Sequence, residues 1–165
     1  MTEEQTQVIR LVQAMFNGAP NASILEELSE LLQNSGVSVL QLANWLADNP
    51  VFSTEMYASS LNNAEFGTAF IENIVGSAAT EENKAWAAAE AAKFLDAGMS
   101  RGQLISQVAD ALTETSATNP DWGEAATQFR NKVEVAEAYA TAPQGVGGTL
   151  DTLQAVTDSV LSLIH

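Results

Sequence analysis

Two stretches of this chain carry the same helical pattern about sixty residues apart. Leu11, Val12, Met15 and Phe16 recur 59 positions later as Phe70, Ile71, Ile74 and Val75. Gly36, Ser38, Gln41 and Leu42 recur 62 positions later as Gly98, Ser100, Gln103 and Leu104. The difference of three places an insertion in the middle helix of the second copy. A period of this size marks one supersecondary unit used twice, and such a unit cannot bury its apolar face alone.

The first copy, about 2–50, reads as three helices. Val8, Leu11, Val12 and Met15 fall on one stripe behind Thr2 and Gln5, which have capping-box spacing, and Gly18 and Pro20 stop the run. Ser23 with Glu26 is the cap expected for the second helix, whose stripe is Ile24, Leu25, Leu28, Leu31 and Leu32. Ser38 with Gln41 opens a third, with Leu42, Trp45 and Leu46. Asn49 and Pro50 close it, because the residue before proline is driven out of the α region. After a short connecting segment at 53–60, the second copy, about 62–113, repeats the order. Phe66, Phe70, Ile71 and Ile74 lead to Gly76. Thr80 caps an alanine-rich helix through Trp86 and Phe94 to Gly98, and Ser100 with Gln103 opens a helix with Leu104, Ile105, Val108 and Leu112.

Beyond a Thr-, Ser- and Asn-rich linker at 113–120, two closing helices are expected. One, about 121–141, is capped by Asp121 with Glu124 and carries Phe129, Val133, Val135, Ala136 and Tyr139. The other, about 149–164, carries Leu150, Leu153, Val156, Val160, Leu161 and Ile164, after a turn at 143–148. The predicted fold is a single all-α domain over 1–165, two repeats of about sixty residues packed together and closed by two C-terminal helices. Phe16, Leu42, Phe70, Ile74, Leu104 and Phe129 are its expected core.

Composition narrows the chemistry. With 21 acidic residues against 6 Lys and Arg, the net charge is -15. A field of that sign repels phosphate, so nucleic acid is a poor partner, and an unassisted anionic membrane is disfavoured likewise. No apolar run approaches the roughly 20 residues of a membrane span, so no membrane insertion is expected. Cysteine is absent and the single histidine is His165, which removes thiol and Ser-His-Asp catalysis. Glu26, Glu27 and Glu30, or Glu81 and Glu82, could pair as acid and base. They sit in first turns or on outward faces, where carboxylates complement the helix dipole. The chain is therefore read as non-enzymatic. The N-terminal Met-Thr-Glu-Glu-Gln has neither the basic nor the apolar region of a secretory signal, so an exported protein of this sequence is expected to carry its signal elsewhere.

No cofactor is assigned. Calcium is the metal that an Asp-, Glu- and Asn-rich chain invites, with candidate loops at 17–21 and 119–121, although turn chemistry accounts for both. Trp45 and Trp86 lie within apolar stripes and are expected in the core. Trp122, beside Asn119 and Asp121 in a polar loop, is the expected surface contact.

Three stretches carry a resemblance. Leu11-Val-Gln-Ala-Met-Phe-Asn-Gly-Ala-Pro20, then Leu61-Asn-Asn-Ala-Glu-Phe66 with Asn73-Ile-Val-Gly76, and Phe129-Arg-Asn-Lys-Val-Glu-Val-Ala136 resemble the uncharacterised helical repeat domain found near the N-termini of bacterial S-layer and RTX-type surface proteins. The likeness runs from about Gln7 to Tyr139. It departs after Gly76, where Ser77, Ala78 and Ala79 stand in place of the family's Arg-Pro-Asp, and the glycine- and aspartate-rich calcium repeats of RTX proteins are absent. The resemblance implies a type I secreted, extracellular or cell-surface module. Its expected role is self-assembly into an S-layer or matrix, as a homo-oligomer, or attachment to envelope lipopolysaccharide, with calcium as a weak bridging ion. The alternative is a ligand-binding module with a glycan or small-amphiphile pocket between the repeats.

Overall fold

Thr2 accepts the Gln5 N–H while the Gln5 side chain takes the Thr2 N–H, and this closed box starts α1 (Glu3–Phe16) where the sequence predicts. Asn17, in the left-handed conformation at φ 51°, ends it. The structure is a computed structural model that describes residues 1–141, so the expected helix at 149–164 lies outside the described residues. α2 (Ala22–Asn34) is capped by Asn21, whose Oδ1 accepts the Ile24 N–H at 2.8 Å. Ser23, the expected cap, is instead inside the helix: a start two residues earlier lets Asn21 satisfy a free N–H that Ser23 would leave open. α3 (Val39–Ala47) starts on the Ser38 and Gln41 box.

A single π-helical turn, Val51–Met56, follows Pro50, and its last bond runs from the Tyr57 N–H to the Phe52 carbonyl at 2.9 Å. α4 (Asn63–Val75) opens on an Asn62 and Glu65 box and ends at Gly76, which leads into a 3₁₀ turn, Gly76–Ala78. α5 (Glu81–Asp96) is capped by Thr80, and α6 (Arg101–Glu114) by Ser100. α6 thus continues into the stretch expected to be linker. α7 (Gly123–Thr141) does not start on Asp121. The Asn119 Oδ1 accepts the N–H groups of Asp121 and Trp122 at 3.0 and 2.9 Å, and the Asn119 carbonyl takes that of Gly123. No strand occurs among the described residues.

The helices pack as one all-α body. α4 lies along α5, α3 along α6 and α1 along α2, while α1 also meets α6 and α7. Two glycines let neighbouring helices approach closely. A Cβ on Gly67 of α4 would stand 2.9 Å from the Ala88 carbonyl of α5, and one on Gly102 of α6 would stand 2.7 Å from both the Ala43 carbonyl and Asn44 Oδ1 of α3. The core contains Val8, Ile9, Met15, Leu42, Phe52, Phe66, Phe70 and Ile105, all essentially without solvent contact. Of the expected core, Leu42, Phe70, Leu104 and Phe129 are buried, whereas Phe16 and Ile74 are only partly covered.

An aromatic chain crosses this core. Phe16 meets Phe52 edge-on, Phe52 meets Tyr57, Tyr57 meets both Phe66 and Phe70, and the last two stack at 5.9 Å. The Arg101 guanidinium caps the chain 4.5 Å over the Phe66 ring and donates to the Leu61 and Ala58 carbonyls. Burial pushes its pKa down from the ordinary arginine value.

Candidate functional site

The two tryptophans expected in the core are at the surface. Trp45 is 53% exposed and Trp86 60%, and Phe94 is 48% exposed. Helix geometry gives the reason. Leu42 and Ala43 set the inner face of α3, and at about 100° per residue Trp45 lies roughly 110° from the direction midway between them. On α5 the inner face is made by Ala91 and Leu95. Trp86 lies nine residues before Leu95, about half a turn round the cylinder. Apart from Leu95, alanines fill the inner side of α5, and the two aromatics of this helix are left outside.

Trp86 and Phe94 stand two helical turns apart on the rim of an apolar groove of about 330 Å³ between α5 and α6. α6 forms the opposite wall with Leu104, Val108 and Leu112 at i, i+4 and i+8, and Ile71 and Val75 of α4 form the floor. Trp122 closes one end. Its indole lies 6.4 Å from that of Trp86, with the ring planes at 43°. Glu90 is the only charged side chain lining the groove among the described residues.

Of the three residues expected as a surface contact, Trp122 lines the groove, and Asp121 and Asn119 stand in the turn beside it. Trp122 is partly buried against the core. Asn119 holds the turn that aims it, and the Asp121 carboxylate takes a long 3.4 Å hydrogen bond from Asn83, fastening the turn to α5. Trp86, Phe94 and Val108 were not expected here. Their outward position has no clear signal in the sequence, since adjacent apolar residues of this fold, such as Val8 and Ile9, are buried together.

The space between α3 and α6 is polar, a groove of about 640 Å³ with Asn44, Asp48, Ser53, Ser59, Ser100 and Arg101 in its walls. Two of its polar groups are already engaged: Ser100 Oγ lies 2.7 Å from Asn44 Oδ1, and Arg101 is held by the carbonyls described above. A third depression, between α4 and α5, contains Lys84. Its ammonium sits 2.8 Å from both Glu72 and Glu81, and these hydrogen bonds raise its pKa above the ordinary lysine value. Glu81 is thus an ion-pair partner, while Glu26, Glu27, Glu30 and Glu82 face solvent.

The loops considered for calcium use their oxygens on protein donors. Asn17 Oδ1 accepts from Gln13 Nε2 at 3.1 Å and from the Lys132 ammonium at 2.9 Å, which fills both lone pairs and puts a cation of the protein beside it. Asn21 Oδ1 caps α2, and Asn119 Oδ1 holds the turn before α7. Among the described residues no three His, Asp or Glu side chains gather as a metal-holding group, and no helix is long and apolar enough to cross a membrane. Compared with known proteins, the chain matches no family model, no curated protein and no solved structure.

Proposed function

We propose that the chain is a non-enzymatic association module of a secreted bacterial surface protein, serving self-assembly or attachment to the cell envelope. The observation that carries this reading is the groove of Trp86, Phe94 and Trp122, an aromatic surface on a strongly acidic molecule. Tryptophan and phenylalanine bury much area at little entropic cost and dominate association energies when desolvated. The resemblance of the three sequence stretches to S-layer and RTX-type proteins supports an extracellular setting.

We infer as well that α1 to α3 and α4 to α6 are the two copies of the repeat. The Ser-capped third helices, α3 and α6, pack on each other through Gly102, and in each half the first two helices pack together.

Charge sets the conditions for association. Molecules of charge -15 repel over a screening length of about 8 Å at physiological salt, so close approach needs salt or bridging cations. Calcium would bridge surface carboxylates to one another or to lipopolysaccharide phosphates through its flexible oxygen coordination. The test is light scattering after size-exclusion chromatography across protein concentration, and co-sedimentation with lipopolysaccharide, each in calcium, in chelator and in sodium chloride of matched ionic strength. Association that Trp86→Ala with Phe94→Ala abolishes supports the reading. An invariant monomer that also ignores lipopolysaccharide overturns it. The second reading, a small amphiphile bound in the same groove, is favoured by its nearly uncharged lining and gains if a detergent-like probe binds the monomer there.

A further inference from the structure

The apolar groove and the helix that spacing predicts over 150–164 are similar in length, and each has a nearly uncharged face. On a helix of about 100° per residue, Leu150, Leu153, Val156, Val160, Leu161 and Ile164 fall within one arc of about 140°. Asp151 and Asp158, the two acids of that segment, fall on the opposite side. The groove presents one charge, Glu90, and runs along α6 from Leu104 to Thr115, roughly 16 Å at 1.5 Å per residue. The segment, as the helix its spacing predicts, is about 21 Å long. Its stripe would cover Trp86, Phe94, Val108 and Trp122 without burying either of its own acids.

Reach decides whose groove it fills. α7 extends roughly 28 Å from Trp122 to Thr141. The nine steps from Thr141 to Leu150 span up to about 30 Å when extended. With Gly145, Gly147 and Gly148 in it, the connector has a free root-mean-square span of about 16 Å. Stretching it to the Trp122 end lowers the effective local concentration of the segment to the order of a millimolar, still above that of a second copy in dilute solution.

We propose that residues 150–164 dock in the groove of their own chain as an amphipathic helix, so that any partner at this groove must displace them. The docking does not depend on the association reading above, and its test uses a different readout. On the full chain with Trp45→Phe, Trp86 and Trp122 are the remaining indoles. Their emission should be blue-shifted and weakly quenched by acrylamide, equally at 1 and 100 μM protein (about a hundredfold range, well below the effective concentration). Leu153→Asp with Leu161→Asp should shift it to the red and raise the quenching constant at least twofold. An unchanged constant overturns the proposal.

The absence of native cysteine allows a second measurement. Thr157→Cys, at the midpoint of the segment, is paired with Gln107→Cys near the midpoint of the groove, so either direction of docking brings them together. The expected result is an intrachain disulfide with Gln107→Cys and little with Gln33→Cys, on the exposed part of α2. Equal yields with both positions overturn the proposal. Bonds found only between chains overturn it in favour of a second copy as occupant.

Discussion

Tyr57 is closed in by Phe52, Phe66 and Phe70, and its hydroxyl accepts a 3.0 Å hydrogen bond from Asn73 Nδ2. Burial, partly opposed by that bond, pushes its pKa up from 10.0 to about 12. Folding therefore favours the protonated phenol. The contribution is complete below pH 10 and is lost as pH rises toward 12, by about 3 kcal/mol in all. Lys84, also raised, loses its contribution in the same direction above its ordinary value. Urea unfolding at pH 8, 10 and 11.5 should show Tyr57→Phe losing less stability across that range than the native chain; parallel losses would mean the phenol is hydrated. Gly102→Ala places a methyl 2.7 Å from the Ala43 carbonyl, and because that neighbour is backbone, α3 and α6 must separate. The expected cost is roughly 1–3 kcal/mol in urea midpoint terms. Neither effect is visible in the sequence, which shows Tyr57 as one aromatic in an aperiodic stretch. Phe52 and Tyr57 stand five residues apart, about 140° apart on an α-helix, and it is the π-turn that brings their rings to 5.3 Å.

At the scale of helices, what could be read were the ends governed by contacts three residues apart. Thr2 with Gln5 and Ser38 with Gln41 form the boxes their spacing predicts, because such a cap is complete within four residues and needs nothing from the rest of the fold. Where two candidate caps lie within a turn of each other, the preceding backbone decides, and it chooses Asn21 where Ser23 is expected and Asn119 where Asp121 is expected. The second choice can be tested by thermal or urea unfolding. Asn119→Ala should cost about 1 kcal/mol, since it frees two N–H groups, whereas Asp121→Ala, losing a single 3.4 Å bond, should cost less than about half of that. The faces of α5 were less legible than its ends. Its inner side is alanine apart from Leu95, so a search for large apolar residues also selects Trp86 and Phe94, which line the groove outside.

For the molecule as a whole, far-UV circular dichroism should report a predominantly helical protein, since nearly all of residues 3–141 lie in helices or short turns. Self-repulsion at charge -15 is relieved by little pairing, with three ion pairs among the described residues. The melting temperature should therefore rise as sodium chloride is added from low ionic strength. Calcium chloride at matched ionic strength should match that rise if it only screens; a further increase identifies bridged carboxylates. The indole pair adds an optical consequence. Two chromophores 6.4 Å apart with their planes at 43° are close enough for their transition dipoles to couple. The ellipticity of the native chain then contains an exciton couplet of opposite-signed bands beneath the helical spectrum. Trp86→Phe should remove the couplet and leave the helical amide bands in place, so the difference spectrum reports whether the two rings at the mouth of the groove keep their mutual orientation in solution.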